Sequence, residues 1–104
     1  MHRRKKHNKL VRDKIPAYIR RKGSIPIVRI ADEAEYWQKL KEKLAEEVKE
    51  FAKDETLEEL ADILEVVDAL ADYKGFTKKD IASFKKQKAQ SRGVFTKRII
   101  LIES

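Results

Sequence analysis

Glu47 and Glu50 stand three residues apart, and Glu59 and Asp62 repeat that spacing a little further along the chain. On an α-helix, residues at i and i+3 share a face, so each pair would present two carboxylates in one direction. Four carboxylates that face one another repel strongly. A hard divalent cation with oxygen ligands removes that repulsion.

Helical phase matters more than spacing. At roughly 100° per residue, Leu40, Leu44, Val48 and Phe51 form one apolar stripe, and Leu60, Ile63, Leu64, Val67 and Leu70 form a second. Glu47 falls inside the first stripe, between the directions of Tyr36 and Leu40, and Glu50 lies at its edge. Glu59 lies at the margin of the second, close in direction to Val66 and Leu70, with Asp62 just beyond. A carboxylate on a core-facing stripe is costly unless it is paired or metal-bound. A plainer reading stands beside this one. Glu59 is the third residue after Thr56 and could serve as a capping-box acid. Glu46, Glu47 and Glu50 could pair with Lys43, Lys49 and Lys53 on a solvated face. Glu46, Glu55, Glu58 and Glu65 fall in other directions and read as solvated acids.

These acids need two long helices to position them. Asp32, with Glu35 three residues on, opens a helix that should run to about Lys53. The segment Asp54-Glu55-Thr56 breaks it, Thr56 caps a second helix ending near Lys74, and Gly75 follows. Thr77, with Asp80 at the reciprocal position, caps a third helix ending near Ser91. Upstream, a short helix from about Lys14 to Lys22 is expected, capped by Asp13, with Pro16 in its first turn and Gly23 at its end. The β-branched content of residues 25–30 and 97–102 predicts a short β pairing between them. The fold class is therefore mainly all-α. It is an antiparallel helical hairpin plus short helices, completing a four-helix-type bundle by oligomerisation as a homodimer or higher homo-oligomer. Residues 1–8 read as a basic mobile arm ahead of a single domain over 9–104.

The 104 residues fit one small domain, which often completes a modest core by oligomerising. Without cysteine, disulfides and thiolate metal sites are excluded. No apolar run is long enough to span a bilayer, and the opening residues lack the apolar stretch of a secretory signal, so a cytoplasmic protein with no membrane partner is expected. The net charge of +7 hides an asymmetry. Residues 1–30 carry eleven Lys/Arg against one acid, residues 31–73 five against fifteen, and residues 74–104 nine against two. An acidic centre between basic ends suits a cation site beside an anion site.

The segments EEVKE (46–50) and EELADIL (58–64) resemble the ExxE and ExxD motifs of the all-α nucleoside triphosphate pyrophosphatases. That superfamily includes MazG-type enzymes, dimeric dUTPase-like enzymes and phosphoribosyl-ATP pyrophosphohydrolase. The opening KLVRDKIP (9–16) and the ending SRGVFTKRIILIE (91–103) are similar to a small group within it, labelled phosphoribosyl-ATP pyrophosphohydrolase-like or house-cleaning pyrophosphatases. The resemblance runs from Lys9 to near the end of the chain. It implies an oligomeric helical bundle that binds Mg²⁺ through Glu47, Glu50, Glu59 and Asp62 and cleaves a nucleoside triphosphate to monophosphate and pyrophosphate. Eight residues separate Glu50 from Glu59, fewer than in the larger relatives, and Val94 follows Gly93 where related tails read RGGF. The short loop bears on substrate class, because that region contributes to base recognition in the family.

For such a reaction the chain offers no Ser–His or Cys–His set, and His2 and His7 sit in the N-terminal arm. Attack by a metal-activated water is expected, with one of the acids, Glu47 or Glu50, as proton acceptor or orienting group. Phosphates need cations. Lys85, Lys88 and Arg92 share one stripe of the third helix, and Arg12 and Lys14 form a second basic set with Lys9. For a base, Tyr36, Trp37 and Phe95 are candidate stacking partners, although Trp37 is at core spacing with Leu40 and Leu44. The favoured substrate is a modified or non-standard nucleotide, with phosphoribosyl-ATP as the alternative. Two non-enzymatic readings compete, a nucleic-acid-binding module and a helical interaction protein. The acidic centre argues against nucleic acid.

Overall fold

The computed structural model describes residues 5–104. It contains four helices: α1 (Ile15–Arg21), α2 (Glu33–Lys53), α3 (Leu57–Lys74) and α4 (Lys78–Arg92). Among the described residues there is no strand. No described helix is long and apolar enough to cross a membrane.

The long helices start where the sequence places them. Asp32 caps α2 by accepting the Glu35 N–H at 2.8 Å. The reciprocal half of that box does not form, because the Glu35 carboxylate turns to the Arg29 guanidinium instead. At α4 both halves form: the Asp80 N–H donates to the Thr77 hydroxyl, and the Thr77 N–H donates to the Asp80 carboxylate, each at 3.0 Å. Gly75 ends α3 at φ 77°, a left-handed conformation that costs glycine little, and the Phe76 N–H then reaches the Ala71 carbonyl. Asp13 does not cap α1. Lys14 occupies the N-cap position, and no side-chain hydrogen bond closes that end.

α2 and α3 pack as an antiparallel hairpin, joined by residues 54–56. Theirs is the one extended helix–helix interface among the described residues. Its core is thin: Leu40 is 2% exposed, with Val66 and Ala71 the other buried apolar side chains. At the open end, Trp37 stacks on Tyr73 with ring centroids 4.8 Å apart, and Tyr36 tilts against the same ring. The inner face of α3 is rotated from the predicted stripe. Val66 is buried, while Leu60 and Leu64 face solvent.

The expected β pairing is absent, for a local reason. The Arg98 N–H closes a turn onto the Phe95 carbonyl at 3.1 Å, and Arg98 itself has φ 57°. This turn interrupts the C-terminal run and leaves a short apolar segment, Ile99 to Ile102, exposed. Two lone strands would in any case form a marginal ribbon.

The single chain is not a closed globule. Its radius of gyration is 18.3 Å, against about 13 Å for a compact domain of this length. It exposes 10233 Å², against roughly 6,100 Å² expected for a monomer of this mass. The predicted arm of residues 1–8 lies partly outside the described residues. Within them the chain is tied down by Asn8, whose carbonyl accepts from Lys39 Nζ at 2.8 Å.

Candidate metal centre

The hairpin brings the two predicted acidic pairs together near its closed end. One carboxylate oxygen from each of Glu47, Glu59 and Asp62 lies within 4.8 Å of the other two. A second set, Glu50, Asp54 and Glu59, meets the same limit, so Glu59 belongs to both. Glu47 is nearly buried, as its helical phase predicts: its side chain is 12% exposed, although Lys43 Nζ reaches its Oε1 at 3.4 Å. That ion pair is the plainer reading's partner, and it coexists with the convergence of the acids.

The capping alternative for Glu59 is resolved by the loop. The Thr56 hydroxyl accepts the Glu59 N–H at 3.2 Å, as expected. The Thr56 N–H, which a capping-box acid would take, donates to the Asp54 carbonyl at 2.6 Å. The Glu59 carboxylate is thereby left for the acidic cluster. Burial first, and then the charges of Asp62, Glu47, Glu50 and Glu58, raise its carboxyl above the ordinary range.

A carboxyl whose folded-state pKa is raised contributes stability below its ordinary range, and that contribution is lost as pH rises through the folded value. In metal-free buffer Glu59→Gln should therefore melt above the unmodified protein at pH 7. The gap should close below about pH 4, where the carboxyl is protonated in both folded and unfolded states. Thermal melts over a pH series in EDTA measure it. Parallel curves for the two proteins would mean that Glu59 is not under charge strain.

An uncharacterized protein from Mycolicibacterium smegmatis is 47% identical over 47 residues, which cover 45% of this chain and 48% of that protein. The chain thus spans about half the length of the curated relative it matches. No family model matches the chain. No solved structure matches it.

The predicted phosphate contacts divide. Arg12 comes to the cluster: its guanidinium donates to Asp62 Oδ1 at 2.7 Å and lies 3.8 Å from Glu65. Lys14, Lys85, Lys88 and Arg92 make no ion pair with these acids among the described residues. Arg92 instead lines a separate cavity of about 280 Å³ with Gly93, Val94 and Lys97. Trp37 is a packing residue, stacked on Tyr73 and with Lys74 Nζ 4.6 Å from its ring. Glu46 and Glu65, read as solvated acids, hold Lys9 and Arg12 respectively.

Two features lie outside the sequence expectations. Asp54 falls in the expected helix break, yet it stands at i+4 from Glu50, a spacing that flags it. A cleft of about 560 Å³ between residues 7–10 and α2 is lined by Lys9, Lys39, Lys43 and Lys49, with Glu42 and Glu46 among them. Lys43 lines this cleft and also pairs with Glu47, so basic cleft and acidic cluster adjoin. No sequence signal announces the cleft, because its walls lie some thirty residues apart.

Proposed function

We propose that the protein is a Mg²⁺-dependent nucleoside triphosphate pyrophosphohydrolase acting on a modified or non-standard nucleotide. The supporting observation is the convergence of Glu47, Glu59 and Asp62 from two helices. The donor set fits the ion: all donors are carboxylate oxygens, the ligand type a hard divalent cation takes, and one from each residue lies within 4.8 Å of the other two. When bound, the ion supplies neutralisation of phosphate charge and a lowered pKa for water.

The chain's own residues then divide the work. Glu47, Glu59 and Asp62 would hold the ion, while Glu50 and Asp54 extend the site through Glu59. Glu47 or Glu50 would accept the proton as water attacks the anhydride. The lysines of the adjoining cleft supply the positive charge that polyphosphate needs. The resemblance of the two acidic motifs and both flanking segments to the all-α pyrophosphatases supports the same reading.

A second copy would cover an exposed apolar face. Leu57, Leu60 and Leu64 stand at i, i+3 and i+7 on α3 and are exposed, as is Val48 on α2. We read this face as the dimer surface of a four-helix bundle.

The testing experiment is pyrophosphate release across ordinary and modified nucleoside triphosphates and phosphoribosyl-ATP, with Mg²⁺ and then with EDTA. Release on a modified nucleotide that EDTA abolishes is the expected result. Preference for phosphoribosyl-ATP would move the substrate assignment, and release insensitive to EDTA would end the mechanism.

A further inference from the structure

The segment from Asn8 to Arg12 crosses the hairpin like a strap. On α2 it is held by Lys39 on the Asn8 carbonyl and by Lys9 on Glu46 at 3.1 Å. On α3 it is held by Arg12, on Asp62 at 2.7 Å and near Glu65 at 3.8 Å. The α3 attachment differs in kind. Asp62 is one of the three converging carboxylates, so the Arg12 guanidinium stands where it would be repelled by a cation among them. The Arg12 side chain is more than half exposed and sits on a segment with no helix or strand of its own, so the contact can open at little cost.

We propose that Arg12 is an exchangeable counter-ion. It neutralises Asp62 until a divalent cation takes that carboxylate, and the released guanidinium then binds a phosphate oxyanion beside the ion. This rests on the metal reading above and deepens it. A guanidinium suits both tasks, because its planar fork matches carboxylate and phosphate alike. The basic cleft lies along the same strap, with Lys9 and Lys39 on its walls. Cation and oxyanion binding are then coupled through one side chain, and each favours the other.

The test uses the full chain and Arg12→Gln, with Mn²⁺ titrated by calorimetry and inorganic phosphate then titrated into the Mn²⁺-loaded protein. Loss of Arg12 should tighten Mn²⁺ about two- to fivefold, the scale of an exposed ion pair. The same change should weaken phosphate by a similar factor. These opposite signs separate an exchanging counter-ion from a merely structural strap, whose loss would weaken both. Arg12→Lys keeps the charge and should bind Mn²⁺ within about twofold of the unmodified chain. Unchanged or weaker Mn²⁺ binding in Arg12→Gln overturns the proposal, as does Arg12→Lys tightening as much as Arg12→Gln. No Mn²⁺ binding to the unmodified chain would overturn the metal reading beneath it.

Discussion

Glu47→Gln should lower Mg²⁺-dependent pyrophosphate release by at least about 100-fold, a loss that even outer-shell metal partners can approach. Glu47 is the residue for which the change is most telling. Its side chain is 12% exposed and points into a hairpin where Glu59 and Asp62 already converge. Glutamine keeps the shape and a similar helix propensity, so α2 should persist and circular dichroism should be unchanged. The amide is a poorer ligand for a hard cation. It also relieves repulsion, so the metal-free variant should be no less stable than the parent. Calorimetry should show Mn²⁺ binding lost or much weakened. Glu55→Gln, at an exposed acid outside both sets, is the control and should be near normal. Release within twofold of the parent in Glu47→Gln would remove the catalytic role of the cluster.

The second large effect concerns assembly. Leu60→Asp combined with Leu64→Asp should convert the protein to a monomer in light scattering and lower its melting temperature markedly. Both side chains are exposed in the single chain, so a monomeric protein would tolerate the change with little loss. A dimer would not, because each aspartate would enter an apolar interface without a partner. The surplus of exposed surface and the large radius of gyration are the reasons to expect the second outcome. If the variant keeps the parent's mass and melting temperature, this face is not the interface. If the parent is itself a monomer, the dimer reading fails outright.

These predictions draw on different depths of information. The four acids were visible in the sequence because helical periodicity is local: spacing fixes which residues share a face, and caps fix where a face begins. Asp32, Thr56 and Thr77 each accept the expected N–H three residues on, and α2, α3 and α4 begin where those caps place them. The misses have equally local causes. Asp13 yielded the N-cap to Lys14. The C-terminal run has the composition of a strand, and composition says nothing of the turn at Phe95–Arg98 that interrupts it.

By itself, then, the sequence determined the helices, the caps of α2, α3 and α4, the two acidic pairs and the inward phase of Glu47, since each follows from the order of neighbours along one chain. Which carboxylates meet was decided by the hairpin. Its register sets Glu59 between Glu47 and Glu50, and its three-residue turn occupies the Thr56 N–H and adds Asp54. The pairing of Arg12 with Asp62, fifty residues away, was decided there too. Contacts of that kind depend on how two helix surfaces rotate and slide against each other, and periodicity within each helix does not specify that rotation. It is why Val66 rather than Leu64 faces inward, and why Arg12 meets the carboxylate of Asp62.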